Sequence, residues 1–210
     1  MYLVNKCLKF RFFFRTRVVF PRMALIAVLL SVMAAADAQE FFKNIPDSSS
    51  ITIKGTSTLH DWEMEVTKFE SSVTLDQEGD PLVDFKKATL SVQSTGIISH
   101  SALMDKKAWN AINAEKFPVI EFNLSSPEKL SLKDNKVNGS LKGSLTVAGV
   151  SREINVDING RFNGNDKFLV TGSSDIDMTR FGVAPPTAML GALKTGDRIT
   201  IDFRLEYKRQ

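Results

Sequence analysis

Two histidines, His60 and His100, are the only imidazoles in this 210-residue chain, and one of them opens the triplet His60-Asp61-Trp62. A histidine beside a carboxylate is raw material for general acid–base catalysis. Neighbours in a strand point to opposite faces, however, so adjacency hinders a direct His–Asp hydrogen bond. A structural or ligand-orienting His60 at the start of a strand is the better reading. Asp175-Ile176-Asp177 sets two carboxylates on one strand face. That pair is enough for a cation or an acid pair, though such pairs are more often a solvated polar face. There is no H-x-x-x-H pair, G-x-S-x-G elbow, phosphate-binding loop or G-x-G-x-x-G turn, and the sole cysteine is Cys7. A zinc site of the usual spacing finds no ligands, so we expect no metal, no cofactor and no catalytic residue.

The first 38 residues set the compartment. Arg22 precedes the fourteen-residue apolar run Met23 to Ala36, followed by Asp37-Ala38-Gln39. A cationic flank, a short apolar stretch and small residues at Ala36 and Ala38 are the pattern of a secretory leader. The run falls short of the roughly twenty residues that a bilayer span requires. We therefore expect cleavage near Ala38–Gln39, residues 1–38 as an N-terminal extension and signal peptide, and a soluble periplasmic or secreted domain over 39–210. Met1 and Met23 are both possible starts. Cys7 would leave with the leader, so neither disulfides nor thiol chemistry are expected in the mature chain. The formal charge of +3 misleads, because the leader holds six cations and one anion, leaving 21 Lys and Arg against 23 Asp and Glu. A nucleic-acid partner gains no support from that balance. Nothing in the residues excludes a homodimer or a passing contact with a membrane.

What must position any site is a set of strands. From Ile51 onward apolar and polar residues alternate: Trp62, Met64 and Val66; Ala88, Leu90 and Val92; Ile120, Phe122 and Leu124; Ile199 through Tyr207. Alternation marks half-buried strands, and about eight or nine of them in an antiparallel sheet make one all-β domain. Sandwich and barrel share this period. Gly139 and Gly143, on the apolar parity of one strand, and the absence of disulfides lean toward a closed barrel. Two segments break the period. Ser101 to Ala114 places Met104, Ala108 and Ile112 at i+4 steps and predicts one short helix ending before Pro118. Thr179 to Gly196, punctuated by Phe181-Gly182 and Pro185-Pro186, predicts a long connection that caps a barrel mouth.

Four stretches together carry a resemblance. They are Gly55-Thr-Ser-Thr-Leu-His-Asp-Trp62, Lys116-Phe-Pro-Val-Ile-Glu-Phe122, the glycine-bearing run Val137 to Arg152, and Asp175-Ile-Asp-Met-Thr-Arg-Phe-Gly-Val-Ala-Pro-Pro186. In order and spacing, over about residues 48–208, the chain resembles the YceI-like family of exported bacterial proteins. The resemblance implies a lipocalin-like antiparallel β-barrel whose apolar cavity takes a polyisoprenoid, isoprenoid quinone or other long-chain lipid. The expected lining is Trp62, Met64, Leu90, Val92, Phe122, Leu141 and Leu145 from strands, with Trp109 and Ile112 from the helix. Phe181 and Met189 of the long loop would close the cavity, and His60 and Arg180 would mark its polar end. The chain departs from the pattern in opening its second strand with His-Asp-Trp, where many relatives are more apolar. Two rival readings are an enzyme acting on a lipid headgroup through His60 with Asp175 or Asp177, and a structural envelope protein with a filled core.

Overall fold

Residues 39–76, 81–188 and 192–210 are described by a computed structural model; the extension and leader assigned to residues 1–38 lie outside them. The elements run β1 (Glu40–Asn44), a 3-10 turn, β2 (Ser50–Ser57), β3 (Trp62–Val66), β4 (Phe69–Asp76), β5 (Leu82–Gln93), a second 3-10 turn and β6 (Ile97–Ile98). Then come α1 (Ala102–Ala111), β7 (Val119–Leu124), β8 (Glu128–Lys133), β9 (Lys136–Val147), β10 (Val150–Asn163) and β11 (Lys167–Asp177). A 3-10 turn (Met178–Phe181), β12 (Thr187–Ala188) and the long β13 (Leu193–Arg209) complete the chain.

Every ladder is antiparallel, and twelve of the thirteen strands make eight wall positions, β12 pairing only with the start of β13. β1 and β2 both pair with β13, so they are two halves of one interrupted strand. The same holds for β3 with β4, which face β2 and β1, and for β5 with β6, which face β4 and β3. β7 and β8 share the position between β5 and β9. β9, β10 and β11 follow as a meander, and β13 closes the wall. The result is an eight-stranded barrel whose edges are sealed by hydrogen bonds, which leaves no long template for pairing with another chain.

Local chemistry fixes the corners. Asp134 and Asn135 (φ 52° and 59°) make the two-residue turn from β8 to β9, and Ala148-Gly149 (φ 49° and 77°) the turn from β9 to β10. Paired positive φ values match the twist of the flanking strands. In β5 the apolar parity changes from Val83 and Phe85 to Ala88 and Leu90. A bulge at Lys86 absorbs the extra residue, so both sets point inward. At Gly143 a Cβ would collide with the Phe122 ring, which leans across β9 there. Among the described residues no helix is long and apolar enough to cross a membrane.

The helix matches its expected place. Ser101 is the N-cap and its hydroxyl accepts from the Met104 N–H, while Ile112 is the C-cap. The long connection is shorter than expected, because β13 begins at Leu193 and pairs with β12 before the barrel wall proper. Besides the two-residue β6 and β12, two strands escaped the alternation search. β1 carries adjacent phenylalanines, Phe41 exposed and Phe42 buried, and β8 offers only Leu130 and Leu132 among charged and polar residues.

Candidate functional site

The barrel is filled at one end. Phe42, Phe85, Phe162, Phe168 and Tyr207 point inward from five wall positions, and all are buried. Phe162 and Phe168 stack with centroids 4.3 Å apart, and Phe42, Phe85 and Tyr207 stand at 6.2–6.4 Å from Phe168. A polar strut crosses this end. The Tyr207 hydroxyl shares a 2.7 Å hydrogen bond with Ser71 Oγ, which donates to the Thr89 carbonyl, while Ser71 N–H donates to Asn44. Burial pushes the Tyr207 hydroxyl up to about 12, against a smaller opposing effect of Ser71.

Beyond the plug the barrel is hollow. A chamber of about 130 Å³ lies between Phe85, Ser71 and Tyr207 on the plug side and Leu90, Leu145, Ile176 and Ile201 on the other. A second space of about 400 Å³ continues to the rim. The two share Ile51, Leu90, Leu145, Ile176 and Ile201 in their walls, so these five side chains form the divider between an inner and an outer chamber. The outer chamber falls in the size range of small-molecule sites, roughly 300–1,000 Å³. An apolar cavity of about 150 Å³ stays dry and accepts benzene, so the inner chamber suits the end of a hydrocarbon chain.

Most of the expected lining residues meet in this space. Trp62, Met64, Val92, Ile112 and Phe181 line the outer chamber, Phe122 and Leu141 the inner one, and Leu90 and Leu145 both. Phe181 is a wall residue rather than a rim residue: it is 1% exposed and packs with Leu145, Ile176 and Val183. His60 lies at the mouth, exposed, with Nδ1 donating to the backbone carbonyl of Asp61 over 2.7 Å. Met189 lies outside the described residues. Two expectations are corrected. Trp109 does not line either chamber; its indole N–H donates to the Ile97 carbonyl over 2.7 Å and ties the helix to β6. Arg180 is exposed and lines neither chamber. The 3-10 turn gives Met178 and Phe181, three residues apart, to the cavity and Arg180 to solvent.

The catalytic alternative loses its geometry. Asp175 accepts from the Thr200 hydroxyl, and Asp177 pairs with Arg198 at 2.9 Å; neither lines the cavity. The Arg198 guanidinium holds the Asp177 carboxyl below its usual range. Among the described residues no group of three His, Cys, Asp or Glu is placed to hold a metal. Sequence reading missed Ile199 and Ile201, which sat in a recognised strand, and Lys107 and Lys194, which carried no periodic signal.

An antiparallel eight-stranded barrel, plugged at one end and hollow toward the other, with an apolar chamber reaching the rim, defines a lipocalin-like protein. Comparison with known proteins narrows this class. The YceI-like domain model matches residues 42–207, and the chain belongs to that family. Burkholderia cenocepacia BcnA is similar in structure at a TM-score of 0.62 and 18% identity, over 78% of this chain and 98% of that one. A polyisoprenoid-binding domain from Saccharophagus degradans, implicated in plant cell wall breakdown, gives 0.60 and 10%, over 80% and 98%. The Campylobacter jejuni YceI protein gives 0.51 and 20%, over 68% and 85%. No curated protein sequence matches the chain.

Proposed function

We propose that this protein is an exported carrier that sequesters one long-chain amphiphile, a polyisoprenoid, isoprenoid quinone or fatty-acyl lipid, chain inward, without chemistry. The observation that supports this reading is the pair of apolar chambers ending blindly on the aromatic plug. Burying ten chain carbons gives about 8 kcal/mol gross. After immobilisation of the ligand, that is enough for roughly micromolar binding. The chain end lies in the inner chamber and the headgroup at the rim, where His60, Lys107 and Lys194 are the titratable side chains lining the cavity. The polyisoprenoid-binding description of the Saccharophagus degradans domain favours an isoprenoid among the candidates. The cationic flank, short apolar run and small residues before Gln39 support the periplasm or the cell exterior as its place, with processing near Ala38–Gln39.

Native mass spectrometry of gently purified protein tests the reading. The expected spectrum shows the chain starting near Gln39 with one lipid that organic extraction removes. Lipid-free protein that also rejects prenyl and long-acyl probes would overturn it. His60→Ala should leave the bound lipid chemically unchanged; a lipid that accumulates unprocessed only in this variant would restore the enzyme.

A further inference from the structure

The two most exposed large apolar side chains on the described surface are at the cavity mouth. Leu59 is 69% exposed and Leu103 is 67% exposed, and both belong to the wall of the outer chamber. They come from separate elements: Leu59 from the turn between β2 and β3, Leu103 from the first turn of α1. Neither is on a loose segment. Ser57 Oγ accepts from the Leu59 and His60 N–H groups at 3.2 Å and donates to the His60 carbonyl at 2.7 Å, which fixes the turn with Leu59 outward. The Ser101 cap fixes the helix start in the same way. Isolated exposed leucines are ordinary; two held in place, on separate elements that both line one opening, ask for a partner.

Charge identifies the partner. No Asp or Glu lines the outer chamber, although the chain beyond its leader has more acids than bases. Lys107 and Lys194 line it, and neither is in an ion pair among the described residues. Asp61, in the Leu59 turn, is outside the lining, and Asp105 of α1 is buried against Ser99. Apolar tips beside unpaired lysines match the interfacial layer of an anionic bilayer, where leucines enter the acyl boundary and lysines meet headgroups. We propose that the open end docks on an anionic membrane surface through Leu59 and Leu103, with Lys107 and Lys194 against the headgroups, so that a chain passes between bilayer and barrel without crossing water.

An environment-sensitive fluorophore tests this in the full chain. Cys7→Ser removes the native thiol, and the label is carried on Leu59→Cys, Leu103→Cys or, at the filled end, Asn165→Cys. With vesicles of phosphatidylcholine and phosphatidylglycerol, labels at 59 and 103 should brighten several-fold while the label at 165 stays aqueous. The pair Lys107→Glu and Lys194→Glu should weaken vesicle affinity by about tenfold or more. Labels at 59 and 103 that stay aqueous would overturn the proposal. So would equal brightening at 165, which would mean anchoring elsewhere, or equal response to pure phosphatidylcholine, which would remove the role of charge. Docking presupposes the carrier reading, yet the two fail separately: a protein that retains lipid while its rim labels stay aqueous is a carrier that does not dock this way.

Discussion

The two ends of the barrel share one ladder and one alternation of side chains, yet one end is solid and the other hollow. At the solid end the inward positions hold Phe42, Phe85, Phe162, Phe168 and Tyr207, whose rings meet one another across the axis. At the hollow end the inward positions are mostly Ile, Val, Leu and Met, too short to meet from opposite walls. Backbone differs as well. Four wall positions are broken between the ends, and β6 pairs only with β3 among the described residues. Where β6 finds no partner in β7, the helix supplies Met104, Ala108 and Ile112 to the cavity instead. Side-chain reach, not strand count, decides where a barrel of this size keeps its space.

The sharpest way to break this comparison is truncation on each side. Phe168→Ala removes the ring that touches every other member of the plug and should cost about 3–5 kcal/mol in denaturant unfolding. Met64→Ala, buried against an existing void, should cost about 2 kcal/mol or less. Equal losses would mean that the two ends are packed alike.

A pH series separates the ends next. Tyr207 holds its proton to about 12 when folded but loses it near 10 when unfolded. The unfolded chain therefore binds fewer protons between those values, and stability falls by about 2–3 kcal/mol as pH rises through the window, with no effect below it. Tyr207→Phe should flatten that alkaline decline while costing about 1 kcal/mol at neutral pH, the worth of its hydrogen bond to Ser71. A decline that persists in the variant would assign it to other groups.

The smallest effect sharpens the boundary between chambers. Leu90→Phe with Ile201→Phe enlarges two divider residues. Affinity for long prenyl or acyl chains should fall about tenfold, or 1.4 kcal/mol, while short chains bind as before. A chain-length series by fluorescence competition measures this, and equal losses for all lengths would show that the divider does not gauge length.

The sequence made the strand period, the helix and most of the lining legible, because burial on one face leaves a mark every second residue in Ile199 to Tyr207 and every fourth in Met104, Ala108 and Ile112. Closure of the sheet left no such mark; it lives in the pairing of β13 with β1 and β2, which periodicity cannot register. Trp109 was misplaced because an indole next to an apolar helical stripe looks like lining, whereas its N–H needed the Ile97 carbonyl at the helix edge. Arg180 was misplaced because a 3-10 turn was unseen, and with it the three-residue step that sends Phe181 inward. The mouth lysines obey no period at all.

The closing seam also orders the making of this protein. Every ladder except those β13 forms with β1 and β2 joins residues fewer than about fifty positions apart in the chain, against about 140 or more at the seam. The seam joins Phe42 to Arg209 and Ile53 to Ile201, and its loop entropy is met only once the last strand is present. Until then β2 and β11 expose bare edges and the Phe42 side of the plug has no lid. Sealing β13 is thus the last pairing the topology allows, and the open-edged barrel that precedes it is the species with the most exposed strand edge and apolar surface.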